Sequence, residues 1–257
     1  MNLWLAASAA YFGYLAVTAA AMRGIRPGGR MRALTCAALG GRGVLAGLST
    51  GNVALRVWVV PPMLLLLAYW GTGALFVAPM EHVERTLQAV DDRLRIRAYA
   101  ARLPAWLATL LEFAYAGVYP LIPIALGLHL WFGEPSDPDR FWAVVLITDY
   151  ICFGMLPWLQ TRPPRTIERV EPWQSSFRRF NVRLMSTASI RVNTFPSGHA
   201  AEALAAALLV LDAPWPWVVW MFFNVAAISA GAVFGRYHYA VDAFTGWAVA
   251  VAVWLLT

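Results

Sequence analysis

The chain has 257 residues, of which 60% are hydrophobic and only 13% charged, with a mean hydropathy of +0.58. Soluble domains carry about 25% charged residues, so the composition excludes a soluble globular protein and selects a polytopic membrane protein. The formal charge of +6 and pI near 9.7 would suit nucleic acid, but no basic stretch interleaved with aromatics lies away from membrane-flanking positions, which leaves phospholipid headgroups as the partner.

Leu3 to Met22 is a run of about 20 apolar residues, enough to cross a bilayer. No basic residue precedes it, which argues against a secretory signal peptide. Arg23, Arg26, Arg30 and Arg32 follow at once, and the positive-inside tendency then puts the N-terminus outside and residues 23–56 in the cytoplasm. Leu34 to Leu48 is apolar but short, glycine-rich and broken by Arg42, and reads as an interfacial or re-entrant segment. Val57 to Val77 is the second span, with Pro61 and Pro62 in its first turns, where a missing N–H costs little. From Pro79 to Leu103, Glu81, Glu84, Asp91 and Asp92 mix with five arginines while Val83, Leu87, Val90, Leu94 and Tyr99 recur at near-helical spacing. That pattern fits either an amphipathic helix on the membrane surface, at about 80–103, or a solvated helical loop.

Trp106 to Trp131 is the third span. Its Glu112 lies near one end and reads as a satisfied interfacial carboxylate in preference to a catalytic one. His129 lies at the other end, beside the acidic loop Glu134 to Asp139. Phe141 to Leu159 is the fourth span and closes on Arg162-Pro-Pro-Arg165. Residues 161–195 form a long polar connection with seven arginines, and Pro172-Trp173 and Phe177 to Val182 suggest a part-ordered loop over a site. Ala200 to Leu211, Trp215 to Phe234 and Tyr239 to Leu256 follow as the last three spans. The expected fold is all-α: a polytopic membrane helix bundle of about six core transmembrane helices plus one N-terminal helix. It divides into residues 1–56, an N-terminal helix with a basic connection, and a membrane domain at 57–257. Cys36 and Cys152 form no C-x-x-C and read as packing residues.

Three polar clusters stand at helix ends. The stretch Arg191 to His199 ends in Pro196-Ser-Gly-His199 and opens the apolar run from Ala200. A turn followed at once by a helix points backbone N–H groups and the positive dipole end forward, which suits a phosphate, although an ordinary interhelical turn explains those four residues equally well. Gly235 to Asp242 begins another span with His238 and Asp242 at i and i+4 on one face. Arg162-Pro-Pro-Arg165 is the third cluster. Counting spans puts Arg162, His199 and His238 on one side of the membrane, opposite Trp58, Trp131, Trp142, Trp215 and Trp217. Arg162 and Arg236, with the backbone N–H groups from Ser197 and Gly198, then bind phosphate. His238, its tautomer fixed by Asp242, is the nucleophile, and His199 the general acid to the leaving alcohol. Zinc fits less well, since the spacing lacks H-E-x-x-H and the arginines would repel a cation.

Arg162-Pro163, Pro196-Ser-Gly-His199 and His238 with Asp242 four residues on resemble, in order, the motifs of the type 2 phosphatidic acid phosphatase superfamily, over roughly residues 57–257. Two departures stand out: Met155 lies seven residues before Arg162, where the family usually has lysine, and Ala232 lies six before His238, where it usually has arginine. The resemblance implies an integral-membrane lipid phosphatase that hydrolyses a lipid phosphate or diphosphate, its substrate a phospholipid or isoprenyl phosphate, through a phosphohistidine, with no cofactor. Its inositol-phosphorylceramide synthase-like branch implies the alternative, a phosphotransferase moving a phospho-headgroup between lipids. A non-catalytic lipid-binding or transport protein is the third reading, and no internal repeat supports transport. The implied location is the bacterial inner (plasma) membrane with the motif side extracytoplasmic, on the weight of the first helix and against the tally of arginines.

Overall fold

The computed structural model describes residues 2–133, 137–168, 171–190 and 192–257. Arg191, the first residue of the Pro-Ser-Gly-His stretch, and Glu134 to Ser136 of the acidic loop lie outside the described residues. The described chain is a bundle of α-helices. Helix α1 (Leu3–Ala21) packs on α2 (Pro27–Ser49). The segment expected to be interfacial or re-entrant is thus the body of an unbroken 23-residue helix that also packs on α4 (Val60–Gly73), which follows the short α3 (Val53–Trp58). Gly40, Gly43 and Gly47, which make α2 look weak, lie on its contact face. A Cβ at Gly40 would come within 2.3 Å of the Phe12 ring, and one at Gly47 within 2.9 Å of Leu5. Without side chains at these positions the helix axes approach closely, as in small-residue membrane interfaces.

The stretch from Pro79 to Leu103 is helical but divided, into α5 (Glu81–Arg93) and α6 (Ile96–Ala100), because Arg95 adopts a left-handed conformation at φ 54°. Its inner face is not purely apolar. Glu84, Leu87 and Asp91 are all buried there. The span expected over Trp106 to Trp131 is two helices, α7 (Ala105–Ala116) and α8 (Val118–Phe132), bent by 61° at Gly117. Pro120 and Pro123 have no N–H to offer the carbonyls four residues back, Ala116 and Tyr119, so the ladder fails at this point.

Helices α9 (Pro138–Gly154), α10 (Pro164–Ile167), α11 (Ser176–Ala188), α12 (Gly198–Leu208), α13 (Trp215–Phe234) and α14 (Ala240–Leu256) complete the chain. The bundle is organised around α12, which packs on α8, α9, α13 and α14. Its buried residues are Gly198, Leu204 and six alanines, so its neighbours come close. Gly246 of α14 serves the same end, since a Cβ there would lie 2.6 Å from the Ser197 carbonyl oxygen. At about 1.5 Å per residue the 11 residues of α12 are much shorter than a bilayer, so this helix begins inside the bundle. At its far end the Leu209 carbonyl lies 2.7 Å from His129 Nδ1, and His129 Nε2 is 3.1 Å from the Asp137 carbonyl, so this histidine is a structural bridge remote from the motifs.

By length and apolarity, three of the described helical segments can cross a membrane: Leu3–Ala21, Val53–Gly73 and Trp215–Phe234. The bent α7–α8 pair makes a fourth if it counts as one span.

Candidate active site

The three polar clusters meet. The chain leaving α9 and the chain entering α12 pair as an antiparallel bridge, with the Asn193 N–H donating to the Thr161 carbonyl at 2.9 Å. Asn193 Nδ2 then donates to Asp242 Oδ2 at 2.8 Å, and the Ser197 N–H to the Asp242 carbonyl at 2.9 Å. Asn193 therefore ties the clusters together, a role that no motif spacing announces. Asp242 is fully buried in the first turn of α14, where Oδ2 also accepts the Tyr239 N–H at 3.0 Å. The same oxygen lies 3.3 Å from His238 Nδ1. A carboxylate on Nδ1 holds the proton there and leaves Nε2 with its lone pair to meet a substrate.

His199 is the second residue of α12, and its ring centroid is 6.2 Å from that of His238. Tyr115 stacks on it at 5.2 Å and Tyr119 meets it edge-on at 5.9 Å, so the ring is held on two sides. Its Nε2 is buried and has no hydrogen-bond partner among the described residues. Ser197 caps α12, its Oγ accepting the Ala200 N–H at 3.4 Å, and the Gly198 N–H faces Thr194 Oγ1 at 3.4 Å. Both are thus beside His199, but the Ser197 N–H is committed to Asp242. Gly198 admits close neighbours: a Cβ would meet Phe153 at 2.9 Å.

The cations are distributed differently from expectation. Arg162 is engaged by Glu84 of α5, donating from Nε at 3.0 Å and from Nη2 at 2.7 Å to its two oxygens. Burial raises the Glu84 carboxyl, yet the hydrogen bonds and charge of Arg162 outweigh burial and hold it below the ordinary carboxylate range. Arg236 is buried between two acids, with Nη1 donating to Asp91 Oδ2 and Nη2 to Glu168 Oε1, each at 2.6 Å. Neither guanidinium lines the space between the histidines. Arg165 does, together with Thr194, His199 and His238. Its guanidinium carbon sits 5.0 Å over the Tyr237 ring, and it has no carboxylate partner among the described residues. Arg165 belongs to the Arg162-Pro-Pro-Arg165 cluster, but the sequence offers no sign that it, and not Arg162, turns inward.

Ala232, at the place of the family's usual arginine, is fully buried in a cluster with Tyr115, Tyr237 and Met185. Its carbonyl accepts the N–H groups of Tyr237 and His238, at 2.9 and 3.0 Å, across a turn in which Arg236 has φ 62°. This turn ends α13 and aims His238 inward.

A buried network covers the site. Glu112 Oε1 accepts from Trp173 Nε1 and Arg178 Nη1, both at 3.0 Å, and Oε2 accepts from Asn181 at 2.6 Å and the Tyr237 hydroxyl at 2.7 Å. Glu112 is therefore satisfied, and it straps α11 across the opening. The loop expected to be part-ordered includes this 13-residue helix. Below it, the space between the histidines is only about 20 Å³. Tyr69, Phe153 and His199 form the boundary between this space and a larger apolar cavity of about 540 Å³, lined by Trp58, Leu65, Leu126 and Trp142 among others and by one acid, Glu202.

An all-α bundle with membrane-length apolar helices, in which an aspartate-backed histidine, a second histidine and an arginine converge at the end of an apolar cavity, is the frame of an integral membrane protein. The chain belongs to the PAP2 superfamily, whose model matches residues 85–256, from within α5 to the last turn of α14. Members of that superfamily are generally phosphatases or phosphotransferases. No curated protein and no solved structure matches the chain significantly.

Proposed function

We propose that the protein is a lipid phosphate phosphatase working through a phosphohistidine on His238. The observation that carries this reading is the pairing of His238 Nδ1 with Asp242, 3.3 Å apart, in a site where the second histidine ring is 6.2 Å away. His238 Nε2 attacks phosphorus and the P–O bond to the lipid breaks. His199 gives its proton to the departing alkoxide, then takes one from the incoming water as that water attacks the phosphoenzyme, which breaks the Nε2–P bond, returns His238 and releases phosphate. Arg165 neutralises the phosphoryl oxygens with its guanidinium fork. The hydrocarbon chain occupies the apolar cavity that begins at His199.

The test is phosphate release by the purified protein in detergent from phosphatidate and from an isoprenyl phosphate, with chelator present. Release that persists in chelator and is abolished in His238→Ala supports the reading. Binding without any release, under all conditions, refutes it. Adding lipid alcohols to the same assay and following products by mass spectrometry separates hydrolysis from transfer, because both pass through one phosphoenzyme and differ only in the attacking oxygen. A new phospholipid formed at the expense of free phosphate would make the protein a phosphotransferase.

A further inference from the structure

Glu202 has no part in the chemistry above. It lies three residues beyond His199 on α12 and so on the same helical face. Both line the 540 Å³ cavity, whose other walls include Trp58, Leu66, Tyr119 and Trp142. Among the described residues Glu202 makes no hydrogen bond and no ion pair. Nearby, Asp149 of α9 is fully buried, with neither carboxyl oxygen partnered among the described residues. Asp149 is near enough to Glu202 for the two to interact electrostatically, and its Oδ1 would lie 3.4 Å from a Cβ at Gly198. A carboxyl group without a partner on the wall of an apolar cavity, with a second one buried close by, is costly to keep. A polar ligand atom in the cavity gives Glu202 a partner and lowers that cost, whereas a bare hydrocarbon chain leaves it standing.

We propose that Glu202 is a specificity-determining residue that accepts a hydrogen bond from a hydroxyl or amide N–H carried by the lipid a few bonds from its phosphate. The substrate class is then a lipid with a donor just below its headgroup, a partly acylated polyol that keeps a hydroxyl or an N-acylated amino alcohol, and not a plain isoprenyl phosphate. This rests on the placing of the phosphate between His199 and His238, because one helical turn separates Glu202 from that point. A site that hydrogen-bonds a buried ligand group rejects the analogue lacking it, since its own polar group is then left bare.

The test measures binding and needs no turnover, so it stands or falls apart from the catalytic reading. Three non-hydrolysable phosphonates with the same chain length, one bearing the hydroxyl, one the amide and one neither, are titrated into the full chain in nanodiscs. Tryptophan fluorescence reports occupancy, since Trp58, Trp70 and Trp142 line the cavity. The wild type is expected to bind the hydroxyl or the amide analogue about 10–100-fold more tightly than the third, and whichever binds more tightly identifies the group. Glu202→Leu should remove the difference by weakening that analogue alone, while Glu202→Gln, which keeps an acceptor, retains most of it. If Glu202→Leu does not fold, Glu202→Ala takes its place. Equal binding of all three by the wild type, no binding of any, or a difference that survives in the leucine or alanine variant would overturn the proposal.

Discussion

Arg162 and Arg165 stand three residues apart, and the proposed mechanism gives them opposite tasks, which a pair of alanine variants can separate. Arg165→Ala removes a guanidinium that faces the histidines and is partnered chiefly by the Tyr237 ring. Two charge-assisted hydrogen bonds to a phosphoryl group contribute about 1.5–3 kcal/mol each, so kcat/KM should fall by roughly 10²–10⁴-fold. Stability should change little, because a cation–π contact is worth about 0.5–2 kcal/mol. Arg162→Ala leaves Glu84, only 3% exposed, with no counter-charge. Removing one partner of a buried pair costs about 3–5 kcal/mol; the Arg162 side chain is 41% exposed, so about 2–4 kcal/mol is the better figure after solvent screening. The assay is kcat/KM on a lipid phosphate together with Tm in detergent, for both variants. Wild-type activity in Arg165→Ala, combined with an inactive Arg162→Ala of unchanged Tm, would refute this division.

The histidines should separate by leaving group: His199→Ala should lose about 10²–10⁴-fold on a lipid phosphate but far less on an aryl phosphate, while His238→Ala is inactive on both. Rescue of His238→Ala by the aryl substrate would reverse the roles. Because Arg162 holds the Glu84 carboxyl below its unfolded value of about 4.3, that pair stabilises the fold above this pH, and the contribution is lost as pH falls through the lower folded value. Tm between pH 6 and 3 should therefore drop less steeply in Glu84→Gln than in the wild type, and parallel curves would contradict this. Arg236→Ala should destabilise by about 3–5 kcal/mol, since it strands Asp91 and Glu168, and unchanged Tm with lost activity would return Arg236 to the phosphate.

The apolar spans were legible because their period and length are properties of the residues alone. Trp215–Phe234 has the same bounds in the structure as in the reading of the sequence, and α1 and α14 agree within a residue. What depends on neighbours was not legible. The glycines of α2 look like helix breakers until Phe12 and Leu5 are seen filling the space they leave. The 61° bend at Gly117 follows from two prolines whose effect a hydropathy run conceals. At the site, His199, His238 and Asp242 drew notice because their types and spacing carry chemistry, and the structure brings them together. Arg162 and Arg236 carry the same chemistry, but Glu84, Asp91 and Glu168 neutralise them from α5 and from beyond α10. A charge on a surface helix does not disclose which arginine it will meet. Asn193 and Glu202 drew no notice for the same reason, since what each lies against comes from groups far along the chain.

The central claim is that phosphorus is held, briefly, on His238. Rapid mixing of the purified protein with ³²P-labelled lipid phosphate, followed by an alkaline quench and peptide mapping, reads this directly, since phosphohistidine survives alkali and is lost in acid. The account predicts acid-labile label on the peptide containing His238, absent in His238→Ala. Label on Ser197 or His199, or steady phosphate release from His238→Ala, would contradict it.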